Sequence, residues 1–271
     1  MWPWAWRDWH GAASAMMRRI PGLSTIASEF DAMIVDQFGV IHDGRALYSG
    51  AARVLDELGR AGIPVVIVTN SGKRAAANVA RIVAMGIARG NFVDCVSSGE
   101  VAWQSLHVET AYLIGKRGEN YGFEPVRFVD DPADAEIMLI LGSNAPETSM
   151  ADYAALLTGI TLPAVCCNPD KKMMTSHGLQ PAPGAIAALY ESLGGSVTWI
   201  GKPYRGIYDH ALKLLGHPKR VLCVGDSAVH DVEGGRNAGL STLLVQRGIS
   251  AGVAEDKLHP QSDYIVTEFV W

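Results

Sequence analysis

No C-x-x-C spacing occurs in this chain of 271 residues, and its four cysteines, at 95, 166, 167 and 223, have no histidine cluster beside them. That scarcity argues against a disulfide framework or a zinc site and makes a reducing cytoplasm the expected setting. No basic cluster rises above a pair or triplet, as at Arg18-Arg19 and Lys171-Lys172, so nucleic acid is not an expected partner. Internal repeats and low-complexity tracts are missing too, and no linker stands out by composition, so domain boundaries have to come from motifs. The first ten residues, MWPWAWRDWH, concentrate four of the seven tryptophans. An interfacial anchor is one reading of them. Pro3, Arg7, Asp8 and His10 break any apolar run there, so neither a signal peptide nor a membrane span is expected. The favoured reading is a poorly ordered extension over residues 1–22.

What is present suits a folded α/β protein. Hydrophobic residues make up 48%, enough for one large domain or two moderate ones, and the net charge of -5 is that of an ordinary acidic protein. From about Ile26, short apolar runs alternate with amphipathic stretches. Ala32–Val35 and Pro64–Val68 read as strands, the second nearly all branched, as expected where both sheet faces are covered. Ala51, Val54, Leu55 and Leu58 share one helical face. In the middle of the chain, Tyr112–Ile114 and Ile137–Leu141 read as strands, and Ser98–Leu106 and Asp152–Leu157 as helices, with a turn at Asn168-Pro169-Asp170. Thr198–Ile200 and Arg220–Val224 read as later strands around a helix carrying Ile207, Ala211 and Leu215. Ser241–Val245 and Tyr264–Val266 complete a sheet.

Four polar groups follow four of these strands: Asp36, Thr69 with Asn70, Lys202, and Asp226 with Asp231. The carboxyl ends of parallel strands line one edge, so all four can converge in a single crevice. Gathering Asp36, Asp226 and Asp231 is unfavourable without compensation, because clustered carboxylates repel. A magnesium ion resolves the conflict, since it prefers hard oxygen ligands, and Lys202 supplies a second positive charge. Thr69 and the amides of Asn70 and Ser71 are placed to donate to phosphate oxygens at a helix start. Such a set suits holding a phosphoryl group in line with an aspartate nucleophile. Each element alone has a plainer reading: a strand-ending Asp is commonly a cap or turn residue, and Lys202 a solvated surface lysine. Order and strand context together carry the functional reading.

The stretches VDQFGV at 35–40, VTNSG at 68–72, GKP at 201–203 and GDSAVHD at 225–231 resemble the four motifs of the haloacid dehalogenase-like hydrolases. Ser98-Gly99-Glu100, Asn168-Pro169-Asp170 and Pro183-Gly184 resemble the subgroup of sugar and nitrophenyl phosphatases, which has a large α/β cap inserted after the second motif. The similarity spans about Leu23 to Val266. It implies a Rossmann-like parallel-sheet core at 23–72 and 198–271, with an inserted α/β cap at 73–197 that sets substrate identity. It also implies that Asp36 is the nucleophile, forming an aspartyl-phosphate. By the same resemblance Asp36, the main-chain carbonyl of Phe38, Asp226 and Asp231 bind magnesium, while Thr69 and Lys202 hold the phosphate and steady the nucleophile.

One position departs from the pattern. Phosphatases of this superfamily carry a second aspartate two residues after the nucleophile, which protonates the leaving oxygen and then activates water. Phe38 does neither, and general acid–base assistance is typically worth about 10²–10⁴ in rate. His42 and Asp43 stand in the same loop as candidate replacements, although both also read as turn residues before Gly44. The leading expectation is a magnesium-dependent phosphohydrolase acting on a small phosphorylated metabolite, weakened at its proton-transfer step. A homo-oligomer is compatible with it, and no membrane partner is expected. A phosphate-ligand binding protein with impaired turnover is the second reading. A dehalogenase-like hydrolase is the third, because an aromatic at this position resembles that branch, whereas the metal-type acid pair Asp226 and Asp231 does not.

Overall fold

The computed structural model describes residues 17–175 and 177–271. It begins with a strand, not an extension: Arg18–Arg19 (β1) lies parallel to Tyr264 and Ile265, and Ile20 is buried behind it. The expectation of a loose tail to residue 22 therefore fails from Arg18 onward, because its backbone is taken up by the sheet edge. The tryptophan-rich stretch lies outside the described residues.

The chain then forms Ala32–Asp36 (β2), Ala51–Arg60 (α1), Val65–Thr69 (β3), Ala75–Ala84 (α2) and Asp94–Ser97 (β4). After the inserted segment come Val221–Gly225 (β5), Ser241–Val245 (β6) and Tyr264–Val266 (β7). These seven strands make one sheet in the order β1-β7-β6-β5-β2-β3-β4, with every pairing parallel. Both faces are covered, which is why the strands are continuously apolar. Met33, Val35, Val65 and Ile67 point into one core with Val54, Leu55 and Leu58 of α1. Their neighbours Ala32, Ile34, Val66 and Val68 point into the other, with Ile207, Tyr208 and Ala211 of the helix Arg205–Leu214. The two-residue alternation of a strand thus feeds two cores from one run of sequence.

A second sheet is built wholly from residues 110–199. Its strands are Val197–Trp199, Ala164–Cys166, Ile137–Ile140, Thr110–Ile114 and Arg127–Val129, in that spatial order and all parallel. The helices Met150–Leu157 and Pro183–Ser192 bury Tyr153, Leu157, Ile186 and Tyr190 against one face. A separate antiparallel hairpin, Lys172–Thr175 with Gly178–Pro181, projects from this unit.

The limits of the insertion differ from the expected 73 and 197. From Lys73 the chain first returns to the first sheet, where Asp94–Ser97 pairs with Val66–Thr69. It leaves only along the helix Ser98–Ser105, whose Ala102 already packs into the second unit. At the far end, Thr198 and Trp199 pair with Val165 and Cys166, so the strand expected in the core belongs to the second sheet and the chain comes back at Gly201. The motif loops mark where chemistry is held, but backbone pairing decides which sheet a flanking strand joins. No described helix is long and apolar enough to cross a membrane.

Candidate active site

Asp36 ends β2 between β3 and β5, where strand connections run off in opposite directions and leave a crevice at the carboxyl edge. From Gly201 the chain brings Lys202 into that crevice, and its ammonium lies 2.5 Å from Asp36 Oδ1 and 2.6 Å from Asp231 Oδ1. Asp36, Asp226 and Asp231 each present a carboxylate oxygen within 4.8 Å of the others, and all three are buried. Asp231 sits in a single π-type turn, Ala228–Val232, where the N–H groups of Asp231 and Val232 share the carbonyl of Ser227. Its second oxygen accepts the Ser227 N–H at 3.0 Å, so the turn is stapled by the same carboxylate that faces Lys202. Asp226 Oδ2 accepts the Ile249 N–H at 2.8 Å, and the Ser250 hydroxyl donates to the Asp226 carbonyl.

Charge does not balance in this cluster. Burial, with repulsion from Asp231 and Asp226, pushes the Asp36 carboxyl well above the usual range even with Lys202 opposing. Burial and Asp231 push Asp226 up to about 7. Burial alone would lower the Lys202 ammonium, but Asp231 and Asp36 more than offset it and its pKa rises. Three buried carboxylates around one ammonium therefore fit a divalent cation with oxygen ligands. The Phe38 carbonyl accepts no backbone hydrogen bond among the described residues.

Residues 33–128 match the family described as haloacid dehalogenase-like hydrolase, and residues 199–270 match the one described as HAD-hydrolase-like. The chain is a haloacid dehalogenase-like hydrolase. Among curated relatives, it is 28% identical over 228 residues to the dihydroxyacetone phosphatase of Corynebacterium glutamicum (strain R), covering 80% of this chain and 81% of that protein. It is also 28% identical over 225 residues to the 5'-nucleotidase YutF of Bacillus subtilis (strain 168), covering 80% and 87%. A solved haloacid dehalogenase-like hydrolase from Brucella suis 1330 superposes with a TM-score of 0.83 at 25% identity, over 93% of this chain and all of that one.

The hydrolase gathers Asp36, Lys202, Asp226 and Asp231 in one crevice, with Thr69 one residue beyond the pairing of Asp36 with Val68. Lys202 arrives not from the end of a strand of the first sheet, as expected, but from the turn that follows Trp199 of the second. Ser71 leaves its backbone N–H without a protein acceptor among the described residues, which keeps it available to an anion. The Asn70 side chain is committed elsewhere: its Oδ1 accepts the Lys202 N–H at 2.6 Å, and its Nδ2 reaches the Lys202 carbonyl at 3.2 Å. Asn70 thus clamps the backbone of the crevice lysine, a long-range role with no local signal in VTNSG.

His42 does not suit the replacement acid. It is 1% exposed, and burial followed by the Arg81 charge pulls its pKa down to about 4, so the ring is neutral at pH 7. Nδ1 accepts the Gly44 N–H at 2.9 Å, which puts the ring proton on Nε2. Nε2 lies 3.0 Å from the Gln37 amide. Turning that amide so that Oε1 faces Nε2–H gives a partner to Gln37 Oε1, which otherwise has none. Both ring nitrogens then serve the loop. Asp43 spends its carboxylate on the N–H groups of Arg45 and Ala46, the turn role its sequence context allowed. Phe38 stands 45% exposed with its ring edge-on to His42 at 5.7 Å.

The loop after β6 was not legible in advance. Gly248 has φ +53, and a Cβ there would fall 1.8 Å from Asp226 Oδ2. Gly248→Ala is expected to weaken the binding of a divalent cation at this cluster by about tenfold or more, the usual cost of disturbing a metal ligand's support. Calorimetric titration with magnesium checks this; unchanged affinity would show that Asp226 is not a ligand.

Proposed function

We propose that this chain is a magnesium-dependent phosphomonoesterase whose Asp36 attacks phosphorus and which favours esters with good leaving groups. The observation that carries the proposal is the Lys202 ammonium held between Asp36 and Asp231 with Asp226 alongside. The names of the two curated relatives, both phosphatases, support the same reaction class. Asp36, Asp226, Asp231 and the Phe38 carbonyl would hold the ion, which when bound neutralises phosphoryl charge as it develops.

The remaining steps belong to the chain. Lys202 holds one Asp36 oxygen, leaving the other to form a bond to phosphorus. The bond from phosphorus to the leaving oxygen breaks, and its electron pair stays on that oxygen. Water then attacks phosphorus, the bond from phosphorus to the Asp36 oxygen breaks with its electron pair returning to the carboxylate, and inorganic phosphate leaves. Solvent takes the proton that the water gives up and supplies the one that the departed oxygen needs. With Phe38 where an acid would stand and His42 tied into the loop, the leaving oxygen departs unassisted. Aryl and acyl phosphates tolerate this and alkyl phosphates do not. The four cysteines, all buried and unpaired, agree with the cytoplasmic setting.

The test is phosphate release from an aryl phosphate and a panel of alkyl phosphates, with magnesium and with a chelator. Turnover is expected for the aryl ester, to stop on chelation, and to be far slower for the alkyl esters. Turnover that survives thorough chelation would overturn the metal assignment. The second reading, a phosphate-ligand binding protein, rests on Phe38 together with the committed ring of His42. Silence on every ester with magnesium and phosphate still bound would favour it.

A further inference from the structure

The turn Asn168-Pro169-Asp170 comes from the inserted unit, yet it reaches the crevice. Asp170 Oδ1 accepts the Asn70 Nδ2–H at 2.9 Å and lies 3.2 Å from His230 Nδ1. Asn70 is the residue that clamps both backbone groups of Lys202, and its amide has one orientation open to it. Oδ1 faces two donors, the Lys202 N–H and the Ser98 hydroxyl at 3.3 Å, so Nδ2 must face the Lys202 carbonyl and Asp170. A carboxylate at that point strengthens the donor side, because hydrogen bonds to an ionised acceptor are the strong ones. Pro169 closes the same joint from the other side. Gly201 has φ +128, and a Cβ there would lie 2.6 Å from Asn70 Oδ1 and 2.7 Å from Pro169 Cδ. His230 meanwhile precedes Asp231, the other acceptor of the Lys202 ammonium, and donates its backbone N–H to Ser227 Oγ at 3.1 Å. One carboxylate of the insertion therefore touches the segment that sets Lys202 and the segment that carries Asp231.

We propose that Asp170 is a positioning residue which, through Asn70, makes the alignment of Lys202 depend on the seating of the inserted unit against the first sheet. The proposal rests on the reading of Lys202 and Asp36 as catalytic groups. It differs from a mere packing contact because it assigns a direction: the loss of Asp170 reaches the Lys202 backbone through Asn70, whereas its contact with His230 leads to the Asp231 segment instead. An insertion that lifts from the crevice takes Asp170 with it, loosens the Asn70 amide and frees the Lys202 backbone. Seating the insertion over a bound ester restores the lysine.

The test is a double-mutant cycle in the full-length chain. Asp170→Ala is expected to lower kcat for an aryl phosphate about tenfold or more, with KM changed by less than about threefold. Asp170→Asn keeps an acceptor for Nδ2 and is expected to restore most of that loss. Asn70→Ala with Asp170→Ala is expected to be no slower than Asn70→Ala alone, since coupled neighbours are not additive. Additive losses, or an Asp170→Asn protein as slow as Asp170→Ala, would overturn the proposal; the second result would mean that Asp170 acts by its charge. The same cycle is run on calorimetric binding of inorganic phosphate with magnesium. A wild-type chain without turnover overturns the hydrolase reading, and the binding cycle then decides the coupling by the same non-additivity.

Discussion

Asp36→Asn is expected to cut aryl phosphate turnover by at least roughly 10⁴-fold, the scale on which losing a nucleophile removes catalysis. The folded state should survive the change. Asp36 is one of three buried carboxylates facing a single ammonium, and burial already disfavours its charge. The amide relieves that repulsion, while Lys202 keeps Asp231 at 2.6 Å as a partner. The melting temperature without metal is therefore expected to hold or rise, since active-site groups commonly cost stability. Parallel measurements of phosphate release and thermal unfolding check both halves. A variant that keeps magnesium-dependent turnover would place the nucleophile elsewhere.

Phe38→Asp is expected to accelerate alkyl phosphate hydrolysis by about 10²–10⁴, the usual worth of a positioned acid–base group, and to change aryl phosphates much less. The position can accept the change. Phe38 is already half exposed, so the new carboxyl is not forced into the core, and what is lost is one edge-on contact with His42. The carbonyl available to a metal belongs to the main chain and is retained. Comparing kcat/KM for the two ester classes, before and after the change, is the decisive measurement. No gain on alkyl esters would mean that the crevice lacks more than its acid.

The sequence carried the Asp36 strand, its neighbours and the strand-end positions of Asp36, Thr69 and Asp226 because fully buried parallel strands are written as unbroken apolar runs, as in Val65–Val68. It did not carry Asp94–Ser97, whose polar ends flank only two apolar residues, or Ala164–Cys166, which is only three residues long. The reach of the insertion was misjudged for the same reason, since a short strand joins whichever sheet its backbone can pair with. Within the site, identity was legible and orientation was not. The Asn70 side chain carried no signal of its clamp on Lys202, while His42 looked like a spare acid and is a neutral ring inside its own loop. Asp170 read as a turn residue, and only the tertiary structure brings it to Asn70.

The pairing of Ala32 with Val221 has a consequence for how the molecule is made. A ribosome delivers the Asp36 strand early and its neighbour late, after the entire inserted unit has emerged. During that interval one edge of Ala32–Asp36 has no partner strand, and an apolar edge of this kind invites pairing with other nascent chains. Synthesis stopped before Val221 yields a strand with Asp36 at its tip and no Asp226 to meet it. Assembly of the acid cluster is thus tied to completion of the polypeptide, and the high proportion of distant pairings should make refolding slow.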